Sequence, residues 1–425
     1  MEIDLMRKKS TLLFIFTIIL LFRGGEVLAD NDSIGKDKKT YIVEAGLNAG
    51  TILKFDDEVK QYLHENRQKS YFLSLGYRAS VRDTSWSDYA YNYPTLSAGI
   101  GFVDAHKIRM FNAENKADYQ SRMGNALSFT IAFRRRFWEC GNFSADYVLE
   151  NGIAYNSHSY NPKNDIDNTL IGSRYSVFVG FAAYLNYRLD RFEIGVGPQF
   201  NHLSNGGTDR PNKGANMFGL GVKARYYCDD YERGRQFAKP NYDSWKPYFY
   251  PDVSFGVGLK SLISAYEHQE AKNPEERSYS NFSVYPTYNV SVDLMYKYTF
   301  RYAVGLGVDC SYAPCNNKIN DIDRATGVEV RDASPWYVGV SAKHEASYKN
   351  LSVNVALGFY LQHQTGYWEH KYEQFYYEFL GVRYRIPKAG GLYAGYHVKA
   401  HLGKADQLEF RLGMELGKHK NDKRQ

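Results

Sequence analysis

Arg174 to Leu189 reads RYSVFVGFAAYLNYRL, with Tyr175, Val177, Val179, Phe181, Ala183, Leu185, Tyr187 and Leu189 in every second place. The residues between them are mostly small or polar. Alternation of this kind puts one set of side chains on one face of an extended strand. A strand of a globular protein runs about five to six residues, whereas a tilted strand that crosses a bilayer needs roughly nine to eleven. The stretch therefore reads as a membrane-spanning strand with an apolar outward face.

Similar segments occur at about Tyr41 to Phe55, Ser70 to Val81, Thr95 to Val103, Ala126 to Trp138, Ser144 to Tyr155, Phe192 to Ser204 and Asn216 to Tyr227, and eight more follow from Tyr248 to Gly417. The connections alternate in length. Glu139 to Asn142, Leu189 to Arg191, Thr299 to Arg301, Tyr348 to Asn350 and Pro387 to Gly390 are short, while Asn156 to Ser173 and Pro314 to Ser334 are long and polar. Short periplasmic turns and long outer loops are the pattern of transmembrane barrels. Arg82 to Pro94 breaks the parity, being long where a short turn is due.

The halves read as distant copies: Leu149-Glu150-Asn151-Gly152 precedes a hairpin at His202, and Val355-Ala356-Leu357-Gly358 with His363-Gln364 precedes Lys399-Ala400-His401-Leu402. The expected fold is all-β: an antiparallel transmembrane β-barrel of about 16 strands in two repeat-like halves, forming one large barrel or two eight-stranded barrels. The expected organisation is a signal peptide at 1–29, a first barrel half with the chemistry at 30–228, a polar connection at 229–245, a non-catalytic second half at 246–417 and a charged tail at 418–425.

Composition agrees, since 38 Tyr, 25 Phe and 36 Gly against 12 Pro suit strands and aromatic girdles. Arg7, Lys8 and Lys9 precede the apolar run Thr11 to Phe22, and Val27-Leu28-Ala29 offers a cleavage site. Beyond it no stretch approaches the roughly 18 apolar residues of a transmembrane helix, so membrane residence calls for strands. A net charge of +6 is small for 425 residues and no basic stripe accompanies it, which excludes nucleic acid as the expected partner. The densest basic run, Arg134-Arg135-Arg136, reads as a lumen-facing or solvated strand end. Four cysteines in an exported chain are able to pair, and Cys310 and Cys315 are near enough to close a small loop, but their spacing matches no metal site.

Chemistry concentrates after Phe192. Phe192, Ile194, Val196, Pro198 and Phe200 set an outward register that His202 and Ser204 continue, and Phe218, Leu220, Val222 and Ala224 set the same register on the next strand, with Asn216 belonging to it. Three polar side chains on the outer face of adjacent strands are costly unless they pair, and opposed residues approach to about 5 Å at Cβ. A serine hydroxyl is a weak nucleophile until an imidazole takes its proton, and the imidazole needs a third group to fix its tautomer. His202 as base, Ser204 as nucleophile and Asn216 as orienting group meet that need, while Asn205 and the amide of Gly207 are suitable material for an oxyanion hole. Rim polarity and turn glycines of an ordinary hairpin exit account for the same residues.

Asn201-His202-Leu203-Ser204-Asn205-Gly206, followed by Pro211-Asn212-Lys213-Gly214, resembles the motif of the outer-membrane lipid A 3-O-deacylases, also described as acyloxyacyl hydrolases. The resemblance implies a barrel enzyme of the Gram-negative outer membrane that cuts an ester-linked acyl chain from lipid A without a cofactor. By it His202 and Ser204 are catalytic, and Asn205 and Gly207 hold the oxyanion. That family carries a glutamate where this chain has Asn216. An asparagine at this spacing is similar instead to outer-membrane phospholipase A, a reading that implies a phospholipid substrate, calcium and a homodimer. Arg210 and Lys213 are expected to contact lipid phosphates at the rim. The rival from another class is a non-catalytic pore or structural barrel carrying the motif idle. His401 lies on the register opposite to Leu392, Ala394, Tyr396, Val398 and Ala400 and is expected to be lumenal.

Overall fold

The computed structural model describes residues 40–78, 85–115, 118–228, 245–273, 276–277 and 282–417. The signal peptide, most of the polar connection and the charged tail lie outside the described residues.

The first eight barrel strands are β1 (Thr40–Ile52), β2 (Arg67–Arg78), β3 (Thr95–Asp104), β4 (Ala126–Cys140), β5 (Phe143–Asn156), β6 (Tyr175–Leu189), β7 (Phe192–Ser204) and β8 (Ala215–Tyr227). Each pairs antiparallel with its sequence neighbour, and β1 closes on β8. A second closed barrel follows the same scheme, with β9 (Tyr248–Lys260), β10 (Tyr285–Lys297), β11 (Tyr302–Tyr312), β12 (Trp336–Tyr348), β13 (Leu351–Gln362), β14 (Tyr376–Arg385), β15 (Leu392–His401) and β16 (Lys404–Glu415), where β9 closes on β16. The choice between one large barrel and two small ones thus falls to two. Closure satisfies every strand edge, which a membrane demands because hydrocarbon offers no partner to a free N–H or C=O.

The alternation read from Arg174 to Leu189 holds in three dimensions. Along β7, Phe192, Ile194 and Val196 face outward and are exposed, while Glu193, Gly195 and Gly197 turn into the lumen and are buried. The lumens are packed with ion pairs. In the first barrel Arg136 Nη2 lies 2.6 Å from Glu193, Arg225 Nε 2.8 Å from Glu44, and Arg134 bridges Glu44 and Asp146. The basic run Arg134 to Arg136 therefore contributes two lumenal cations. In the second barrel Arg383 pairs with Asp252 at 2.8 Å and Lys343 with Asp293 at 2.6 Å. Deleting one partner of such a buried pair strands a charge, at a cost of about 3–5 kcal/mol.

The barrels touch at both ends and in the middle. The long turn that breaks the parity contains a short helix, Trp86–Ala90, that packs on the second barrel's turns. Asp88 accepts from Tyr348 Oη and lies 2.6 Å from Lys349 Nζ, Arg301 donates to the Ala90 carbonyl at 2.8 Å, and Trp86 meets Phe300 edge-on. Its length is explained by that contact. Midway, Tyr396 on β15 donates to Asn151 on β5. At the loop end Tyr160 donates to Glu270 at 2.6 Å. All four cysteines are free, so the small loop that Cys310 and Cys315 are near enough to close is not formed.

Candidate active site

The β7–β8 hairpin brings His202 and Asn216 directly opposite each other across the ladder. His202 Nδ1 lies 2.8 Å from Asn216 Oδ1. An amide oxygen only accepts, so this bond requires the proton on Nδ1 and leaves Nε2 as the basic nitrogen. Ser204, two residues on, continues the same outward register beside Val177 of β6. Among the described residues no hydrogen bond joins the Ser204 hydroxyl to the imidazole. Catalytic contacts of this type often form only with substrate bound.

The outward face closes toward the rim. Ile194 is 61% exposed and Phe181 49%, but Ser204 is 8% and Val177 7%. Ser204 is thus covered at the rim while the apolar face beside it stays open.

The loop 205–214 accounts for the rest of the motif. Asn212 Oδ1 accepts from the Asn205 amide at 3.1 Å, and Asn205 Oδ1 accepts from the Gly207 amide at 3.0 Å while its Nδ2 donates to the Asp209 carbonyl at 3.1 Å. The two expected oxyanion donors are therefore side by side, with the Gly207 N–H engaged by Asn205. Gly214 has φ +70, and a Cβ there would lie 2.7 Å from His202 Cε1, so only glycine gives the imidazole its room. The far half of the loop is tied to its own barrel, Lys213 N–H to the Thr169 carbonyl at 3.2 Å and Gly214 N–H to Leu170 at 3.1 Å.

The two expected phosphate contacts are committed to the protein. Arg210 is buried and donates through Nε (3.3 Å) and Nη2 (3.1 Å) to the Ser261 carbonyl of the second barrel. Lys213 pairs with Asp56 at 2.9 Å and with Glu58, and Lys404 of the second barrel reaches the other Asp56 oxygen at 3.2 Å. Burial disfavours the Asp56 carboxylate, yet the bonds and charges of Lys213 and then Lys404 outweigh it and hold its pKa down at about 2. Ser261 and Asp56 carry no sequence signal: they lie 54 and 157 residues from the loop residues they bind.

The corresponding hairpin of the second barrel differs. His401 ends β15 facing the lumen, where Nε2 lies 3.0 Å from Tyr360 Oη. With His363 and Glu373 it forms a cluster whose ligand-type atoms lie within 4.8 Å of one another. Glu373 is already held by Lys260 at 2.8 Å and His363 at 3.0 Å, and despite its burial the Lys260 ammonium keeps its carboxyl well below the usual range. An ammonium on the only carboxylate of the set occupies the charge that a metal ion would need.

Two family models match the chain. That of lipid A 3-O-deacylase (PagL) covers residues 109–225, including all but the last two residues of the β7–β8 hairpin, and that of the acyloxyacyl hydrolase C-terminal domain covers residues 249–418, nearly all of the second barrel. No curated protein matches. Among solved structures the outer membrane enzyme PagL is similar at 20% identity over 43% of this chain and 97% of that one, with a TM-score of 0.27. Outer membrane phospholipase A from Escherichia coli is similar at 8% identity over 91% of this chain and 100% of that one, with a TM-score of 0.16. The β domain of the Bordetella autotransporter BrkA is similar at 9% identity over 89% of this chain and 99% of that one, with a TM-score of 0.23.

Proposed function

Since the chain belongs to the lipid A 3-O-deacylase (acyloxyacyl hydrolase) family of the Gram-negative outer membrane, we propose that it is a serine esterase that removes an ester-linked acyl chain from lipid A through Ser204, His202 and Asn216. The observation that carries this reading is the 2.8 Å bond from His202 Nδ1 to Asn216 Oδ1, with Ser204 next in the same register. Ser204 Oγ attacks the ester carbonyl carbon as its proton passes to His202 Nε2. The tetrahedral intermediate collapses, the ester's alkoxide leaves with that proton as an alcohol, and the acyl group stays on Ser204. Water then gives a proton to Nε2 and attacks the acyl-serine, releasing the fatty acid and returning the proton to Ser204. No cofactor takes part.

The oxyanion falls to Asn205 and the amide of Gly207. Rotation of the Asn205 side chain frees the Gly207 N–H and brings Asn205 Nδ2 to the same oxygen, giving two donors where charge develops. One feature favours a phospholipid substrate instead, the amide Asn216 in place of a carboxylate. The ion pairs that fill both lumens argue against a pore.

Mass spectrometry of lipids from a Gram-negative host expressing the wild type or Ser204→Ala tests the reading. Loss of one acyl chain from lipid A, dependent on Ser204, is expected. Serine-dependent lysophospholipid would move the substrate to phospholipid, and unchanged lipid pools would sink the esterase reading altogether.

A further inference from the structure

The catalytic loop is held from two sides. Its far half, Lys213 and Gly214, hangs on backbone bonds to Thr169 and Leu170 of the first barrel. Its near half, Gly206 to Arg210, meets the second barrel. The Gly207 carbonyl accepts from Ser261 N–H at 2.9 Å and from Ser261 Oγ at 3.1 Å. In return the Ser261 carbonyl accepts both bonds of the Arg210 guanidinium. Ser261 directly follows β9, whose last residue, Lys260, is fixed by Glu373 and by Asp406, each at 2.8 Å. The brace therefore stands on a rigid strand end.

Gly206 and Gly207, beside Ser204, both have positive φ, +68 and +86, the left-handed region that glycine enters without the strain a side chain would bring. The second barrel restricts them by close approach. A Cβ on Gly206 would lie 3.2 Å from Leu408 Cβ, and one on Gly207 would lie 2.2 Å from the Asp406 carbonyl oxygen. Oxyanion donors act only when their place is set in advance, and a displacement of about 1 Å can cost roughly 100-fold in rate.

We propose that the second barrel completes the active site, with Ser261 and Arg210 as positioning residues that fix the Gly206–Gly207 backbone beside Ser204. The inference rests on the serine-esterase reading above. Both residues are buried and bonded to protein, so their loss should act on kcat and leave KM in place.

The test uses the full chain, purified and folded in detergent with lipid A, as wild type, Ser261→Ala, Arg210→Ala, the double variant and Ser261→Thr. Folding is followed by heat-modifiable migration, and Arg210→Lys, which keeps the charge without the fork, replaces Arg210→Ala if the latter does not fold. Ser261→Ala, which removes one of four bonds, should lower kcat roughly 3- to 10-fold. Arg210→Ala should lower it roughly 10- to 100-fold. The double variant should lose less than the product of the two, because both act on one brace. Ser261→Thr should restore the rate, and labelling of Ser204 by a fluorophosphonate should slow less than hydrolysis does. Wild-type kcat in the folded double variant, with Ser204 still essential, would overturn this inference alone. Hydrolysis that survives Ser204→Ala would overturn the esterase reading and this inference with it.

Discussion

The seventh hairpin of each barrel occupies the same place in the topology and has taken a different form. In the first barrel, β7 and β8 are joined by the ten residues 205–214, and His202 faces outward against Asn216. In the second, β15 and β16 are joined by Leu402 and Gly403 alone, with φ of +53 and +70, the positive pair of a two-residue hairpin turn. One change of register separates the two histidines. His202 stands on the apolar face, where lipid arrives, and His401 stands in the lumen, bonded to Tyr360. A period-two ladder makes this an all-or-none difference: a residue one place along a strand is on the other side of the wall.

Just past that short turn, Asp406 and Leu408 of β16 approach Gly207 and Gly206 of the first hairpin. The short second hairpin thus lies directly against the glycines of the long first one.

Short of removing the nucleophile itself, breaking the first hairpin at its third member should have the largest effect. Asn216→Ala frees the imidazole to adopt the wrong tautomer and should lower kcat by roughly 10² to 10⁴. Asn216→Asp offers an oxygen to the same Nδ1–H and should stay within about tenfold of wild type. Steady-state hydrolysis of lipid A measures both.

The smaller effect concerns Asp56, which ties Lys213 of the loop to Lys404 of the second barrel. Its pKa in the folded protein is lowered from 3.8 to about 2. A lowered carboxyl pKa stabilises the folded state above the unfolded value, and the contribution fades as pH falls through the folded one. The wild type should therefore be more stable than Asp56→Asn above about pH 4, and thermal melting should show the two converging toward about pH 2. The pair is partly exposed, so the gap at neutral pH should be modest, under about 1 kcal/mol.

Much of this was legible in the sequence because strand alternation is local. The outward register of β7 follows from Phe192, Ile194 and Val196, and it carries His202 and Ser204 with it. Asn216 opposite His202 follows from the register of Phe218 and Leu220. The two-barrel outcome was not legible, since strand count leaves closure open and only the pairing of β1 with β8 decides it. The partners of Arg210 were hidden for the same reason. A buried arginine and a rim arginine look alike until the distant Ser261 is brought to it. The parity break at the β2–β3 turn was visible, but its cause, Asp88 meeting Tyr348 and Lys349, lies about 260 residues away.

If hydrolysis belongs to the hairpin with the outward histidine, the lumenal histidine of its counterpart takes no part. Lipid A hydrolysis by Ser204→Ala and His401→Ala, measured side by side on the folded full chain, tests it most directly. Ser204→Ala should lose activity by roughly 10⁴-fold or more while His401→Ala should stay within about twofold of wild type. Hydrolysis that persists in Ser204→Ala, or that disappears in folded His401→Ala, would contradict it.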